Sequence, residues 1–99
     1  MRAYYANYIS HMMRQYLKLR DSNEEDIKGD VSRLNVRLCR ELFETLPKTE
    51  KEILTHVYSH FLVEQGVDSV AKQKEMDKVT VWTMVNQYEK RLAERRGLI

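Results

Sequence analysis

One cysteine, one proline and three glycines are all that 99 residues contain of those types. The lone thiol, Cys39, has no partner for a disulfide within the chain and fits a reducing compartment. So few Pro and Gly leave few points where a helix must break. No segment alternates polar and apolar residues with period two, so no sheet is expected. No apolar run approaches the roughly 20 residues of a membrane-crossing helix. The opening Met1-Arg-Ala-Tyr-Tyr is too polar for a secretory signal, and the expectation is a cytoplasmic protein. Catalytic hallmarks are missing as well. No Gly-rich loop cradles a nucleotide, and no strand-turn-helix context holds a nucleophile. His56 and His60 have the four-residue spacing of paired zinc ligands, but no Glu lies between them and no third ligand is evident. Neither an enzyme nor a metal or other cofactor is expected.

What is present is charge and helical periodicity. The chain is 42% hydrophobic and 32% charged, which is the balance of a globular protein, and its formal net charge is +2. The charge is unevenly spread. Residues 1–20 hold four basic groups and no acid, residues 21–30 hold five acids against Lys28, and residues 71–99 hold seven basic groups against four acids, a local +3. One all-α domain of four to five helices is expected over residues 1–99. It divides into an amphipathic helix (1–20), an acidic connector (21–30) and a helical core (31–99).

Apolar residues at three- and four-residue steps place the helices. Tyr5, Ile9, Met12 and Tyr16 stripe the first, from about Arg2 to Leu19. Val31, Leu34, Leu38, Leu42 and Leu46 stripe the second, from about Asp30, which is a plausible N-cap, to a stop at Pro47. Thr49-Glu-Lys-Glu52 has the form of a capping box opening the third, with Ile53, Leu54, Val57, Phe61 and Leu62 behind it and Gly66 suited to a C-cap. A short fourth helix, about Asp68 to Lys74, is followed by a polar turn at Glu75-Met76-Asp77. Asp77 is placed to cap a fifth helix ending near Arg96, with Gly97 closing it.

Val67 to Val85 has the spacing of a helix-turn-helix. Ala71 sits where two helices nearly touch, and Val70, Met76, Val81 and Met84 close a small core around that crossing. Upstream stand Leu42-Phe-Glu-Thr-Leu46-Pro47, Ile53-Leu54 and Val57-Tyr58. On these residues the segment from Glu41 to Ala93 resembles the C-terminal promoter-reading domain of sigma factors and the small phage and mobile-element late-operon regulators built on it. That resemblance implies a DNA-binding transcriptional regulator. In two places the chain departs from the pattern. Glu75 stands where the family has a left-handed Gly, and Trp82 stands at a normally outward position of the recognition helix.

With Val81 and Met84 inward, 100° per residue turns Val79, Trp82, Thr83, Asn86 and Lys90 outward. Asn binds adenine bidentately, while Thr and Val touch a thymine methyl, so these five are the candidate base readers. Lys72, Lys74, Lys78, Arg91, Arg95 and Arg96 are the candidate phosphate contacts. Tyr4, Tyr5, Tyr8, Met12 and Tyr16 form a face that needs burial, in the core or at an interface with a second copy or another partner. The expectation is a homodimer on double-stranded DNA, with RNA polymerase as a further candidate partner. The alternative is a protein-binding module on the same scaffold, engaging RNA polymerase, a phage partner or a host-defence component without reading DNA.

Overall fold

In the computed structural model, which describes residues 2–99, the chain forms five α-helices among the described residues. They are α1 (Ala6–Leu19), α2 (Asp30–Phe43), α3 (Lys48–Tyr58), α4 (Val63–Gln73) and α5 (Lys78–Arg96). No strand occurs among those residues. A single 3-10 turn, Glu24–Asp26, shapes the acidic connector, which buries Ile27 and ties Glu24 to Arg37 of α2 at 3.0 Å. α1 lies against α2, α3 and α5, while α4 packs between α3 and α5. Tyr16, Phe43 and Tyr88, from α1, α2 and α5, meet edge-on at 5.7 and 6.3 Å between ring centroids and form the middle of the core. The radius of gyration is 13.2 Å, close to the roughly 13 Å of a compact chain this long.

The start of α5 follows its local chemistry. The Asp77 carboxylate accepts a hydrogen bond from the Val79 amide at 2.8 Å, which satisfies one orphan donor of the first turn. The end of α4 is closed by a left-handed residue. Glu75 has φ 53°, and the Met76 amide donates back to the Ala71 carbonyl at 2.9 Å. Gly97 ends α5 in the same manner, with φ 82° and the Leu98 amide on the Ala93 carbonyl at 2.9 Å. Val70 and Val81 are fully buried, and Ala71, Met76 and Met84 pack against the same core.

Five local expectations are corrected. α1 begins at Ala6 rather than Arg2, and Asp30 is the first residue of α2, after Gly29, with its carboxylate paired to Arg33 instead of capping. The Thr49–Glu52 capping box does not form, because α3 starts at Lys48 directly after Pro47 and Thr49 already lies inside the first turn. α2 is rotated. Asn35, Val36, Cys39, Leu42 and Phe43 face inward, while Val31 is 58% exposed and Leu34 lies at the surface. Phe43 in the aromatic cluster holds that face in. Cys39 is fully buried beside it, and burial pushes its thiol up to about 12.

The last correction concerns Gly66. α3 stops at Tyr58, where the Ser59 hydroxyl donates to the His56 carbonyl at 2.6 Å, and Phe61 is left 87% exposed. Gly66 then lies inside α4 and caps nothing. A Cβ on Gly66 would stand 2.2 Å from the Val57 carbonyl oxygen and 2.7 Å from its Cα. The glycine is needed for the contact between two helix backbones, not for its φ. Gly66→Ala is therefore expected to lower unfolding free energy by about 3 kcal/mol or more in urea titration, since backbone must move. A loss under about 1 kcal/mol would mean that α4 can slide off α3 freely. Glu75→Gly has the opposite sign: relief of a left-handed non-Gly residue should stabilise by about 0.5–1 kcal/mol in the same assay.

Candidate nucleic-acid interface

α5 carries the outward stripe expected from the sequence. Its buried side is Val81, Val85, Tyr88, Glu89, Leu92 and Ala93. The opposite side holds Val79, Thr80, Thr83, Asn86, Gln87 and Lys90, all exposed. Val79 is 70% exposed in the first turn, and the Thr83 hydroxyl donates to its carbonyl at 2.8 Å. Thr80 and Gln87 share this surface although they were not among the expected base readers. With Thr83 and Arg91 they line an open depression of about 300 Å³ against Leu46 and Glu50. The helical wheel carried that signal, because Thr80, Thr83 and Gln87 step along one outward ridge.

Trp82 and Asn86 are placed differently from Val79 and Thr83. The segment before α1 crosses the middle of α5 and brings Arg2 onto both. Its guanidinium sits 5.1 Å from the Trp82 ring centroid and donates to the Asn86 Oδ1 at 3.2 Å. The same guanidinium pairs with Glu89 at 2.8 Å. Glu89 is 1% exposed and also accepts from the Tyr58 hydroxyl at 2.6 Å, while the Ser10 hydroxyl, which donates to the Ala6 carbonyl at 2.9 Å, lies 3.4 Å away. Burial, and then the Glu89 charge, push the Tyr58 phenol well above its ordinary range, so it stays a neutral donor. This buried acid was missed in the sequence. The available signal was Glu89 itself, a carboxylate on the same face as Val85, Tyr88 and Leu92. Only Glu89 is fully buried and the Arg2 side chain is 25% exposed, so losing Arg2 costs at most the lower end of the roughly 3–5 kcal/mol of a buried pair, enough to hold Arg2 in place over a half-covered Trp82.

The cations divide into two groups. Lys78 pairs with Asp68 at 2.9 Å, and Lys74 lies 3.9 Å from Glu52. Arg96 donates to the Asn35 Oδ1 at 2.8 Å and to the Tyr8 hydroxyl at 3.3 Å, and it stacks 5.7 Å from the Tyr8 ring. These three are engaged within the chain. Lys72, Lys90, Arg91 and Arg95 are exposed and have no carboxylate partner among the described residues.

The tyrosine face is divided in the same way. Tyr4 is 80% exposed and Tyr8 lies at the surface, whereas Tyr5 is half-buried. Met12 and Tyr16 are fully enclosed by their own chain and are not open to any partner. Tyr16 donates to Glu44, and burial with that carboxylate raises its phenol far above the usual range. His56 and His60 stack at 5.4 Å between centroids, and His56 bonds Ser69 at 2.9 Å. No cluster of three metal-ligating side chains occurs among the described residues. Comparison with protein families, with characterised proteins and with solved structures finds no match to this chain.

The Arg2–Glu89 pair makes a direct prediction. Arg2→Ala should lower unfolding free energy by about 3 kcal/mol and shift Trp82 fluorescence to the red. In a Glu89→Gln background the same change should cost much less, since no buried charge is left alone. Equal costs in the two backgrounds would remove the pair from the account.

Proposed function

We propose that this chain is a sequence-specific double-stranded DNA-binding regulator of transcription, of phage or mobile-element type. On this reading α4, the turn at Glu75 and α5 act as a helix-turn-helix. The observation that carries it is the uncovered outer ridge of α5, beginning with Val79 in water in the first turn and flanked by cations without carboxylate partners. An exposed Val beside Thr83 suits a thymine methyl, and Gln87 has the donor and acceptor that adenine requires. Lys72, Lys90, Arg91 and Arg95 supply phosphate contacts, which position the protein without specifying sequence. Base reading concentrates on Val79, Thr80, Thr83 and Gln87, because Arg2 occupies Asn86 and Trp82. A second copy would dock through the exposed tyrosines Tyr4 and Tyr8.

The rival reading is a protein-binding module on the same scaffold. It is favoured by the engagement of Lys78 and Arg96 within the chain, which lowers the charge offered to phosphate.

Fluorescence anisotropy of labelled duplex separates the two. Four phosphate contacts predict about a hundredfold weaker binding at 200 mM than at 50 mM salt. Lys90→Ala and Arg91→Ala should each lower the salt slope by about one, whereas Val79→Ala and Thr83→Ala should narrow the gap between preferred and random duplex. Duplex affinity that ignores salt and all four substitutions would exclude groove reading and leave the rival.

A further inference from the structure

We infer that the furrow between α1 and α3 docks an acidic protein segment anchored by a Leu or Phe side chain. Two open depressions, of about 460 and 480 Å³, lie side by side along α3 and share Thr55 and Ser59 as a common wall. Leu17, Tyr58 and Phe61 give the first a mostly apolar lining. Phe61, at its edge, is 87% exposed, the highest value among the large apolar side chains, and Leu62 beside it is 46% exposed. An aromatic left in water beside an apolar furrow has no role in the fold, and it is the kind of side chain that anchors an interface.

The charge around the furrow selects the partner. Arg14 and Lys18 border the first depression, and Arg20, Lys48 and Lys51 the second, against the single carboxylate Glu52. Arg14 donates only to the carbonyls of His60 and Phe61, so its charge is uncompensated. Glu44 is already shared between Arg20 at 2.9 Å and Lys51 at 3.6 Å. Lys18 and Lys48 have no carboxylate partner among the described residues. An open furrow encloses too little of a small molecule to hold it. A phosphate backbone would use the cations and leave the apolar lining empty. A chain bearing carboxylates and one apolar anchor uses both, with the charges setting register and encounter rate and the anchor supplying most of the affinity.

None of these residues lies on α5, so the inference stands or falls apart from DNA reading. The test titrates the full chain into a fluorescein-labelled 14-residue peptide of Asp, Glu, Leu and Phe. An equally charged peptide with Ser in place of Leu and Phe serves as control. Saturable binding of the first peptide is expected, with the Ser peptide, Phe61→Ser and Lys18→Glu each weakening it at least about fivefold. Both substituted side chains are at the surface, and circular dichroism confirms that the variants fold. Lys90→Ala should leave the peptide affinity unchanged. No binding by about 1 mM, or equal binding of the Ser peptide, would overturn the inference. It would also fall if duplex DNA displaced the peptide and itself required Phe61 and Lys18, since the furrow would then be a nucleic-acid surface.

Discussion

A buried carboxylate organises this protein. Glu89 of α5 brings together the segment before α1 through Arg2 and α3 through Tyr58, with Ser10 of α1 at 3.4 Å. Arg2 reaches both carboxylate oxygens and Tyr58 donates to Oε2, which together satisfy a group that is costly to leave unpaired in the interior. Apolar surfaces of generic shape would tolerate sliding, but a carboxylate held by Arg2 and Tyr58 at once does not. The orientation of α5 relative to α1 and α3 is thereby fixed, and with it the side of α5 that meets water. The same bond network keeps Arg2 over Trp82 and Asn86, so the requirement that holds the helices together also covers part of the outer face.

The beginning of α5 is set by a different constraint. α3 and α4 approach until the Gly66 Cα lies against the Val57 backbone, a separation that no side chain at that position permits. From that anchor α4 runs to the left-handed Glu75, and Asp77 opens α5 three residues after Lys74. The turn is short and strained at one residue, so the first turn of α5 has little freedom relative to α4. Val79 and Thr83 project from a helix that is braced at its start by the turn and in its middle by Glu89.

Features set by adjacent residues could be read from the chain. The Asp77 cap, the Gly97 stop and the burial of Val70 and Val81 follow from a few neighbouring side chains, whereas the left-handed position of Glu75 is implied only by the resemblance. Gly66 was misread because glycine serves two ends, positive φ and close backbone approach, and only the partner helix decides between them. The face of α2 was misread because two apolar stripes overlap at Leu42, one through Val31 and Leu34 and the other through Val36 and Cys39. Tertiary packing of Phe43 made the choice. The Arg2 contact, which most changes the candidate site, joins residues 87 apart, and no local pattern marks such a pair.

The bond from Arg2 to the Asn86 Oδ1 and the half-covering of Trp82 have a consequence for recognition on the proposed reading. Four side chains on roughly three turns can address only a few base pairs. At about 1 kcal/mol for each methyl-type contact of Val79, Thr80 and Thr83 and about 1–3 kcal/mol for Gln87, one copy discriminates by roughly 4–6 kcal/mol. Specific regulators separate their sites from random DNA by about 4–10 kcal/mol. One copy therefore falls in the lower part of that range, and two copies on a symmetric site double the term and reach its top. The engaged cations point the same way, because a protein with four free phosphate contacts binds random DNA weakly and gains more from pairing than from its own charge. On the proposed reading, recognition through the short outer ridge of α5 is therefore strengthened by a second copy, for which the exposed tyrosines Tyr4 and Tyr8 would be the surface.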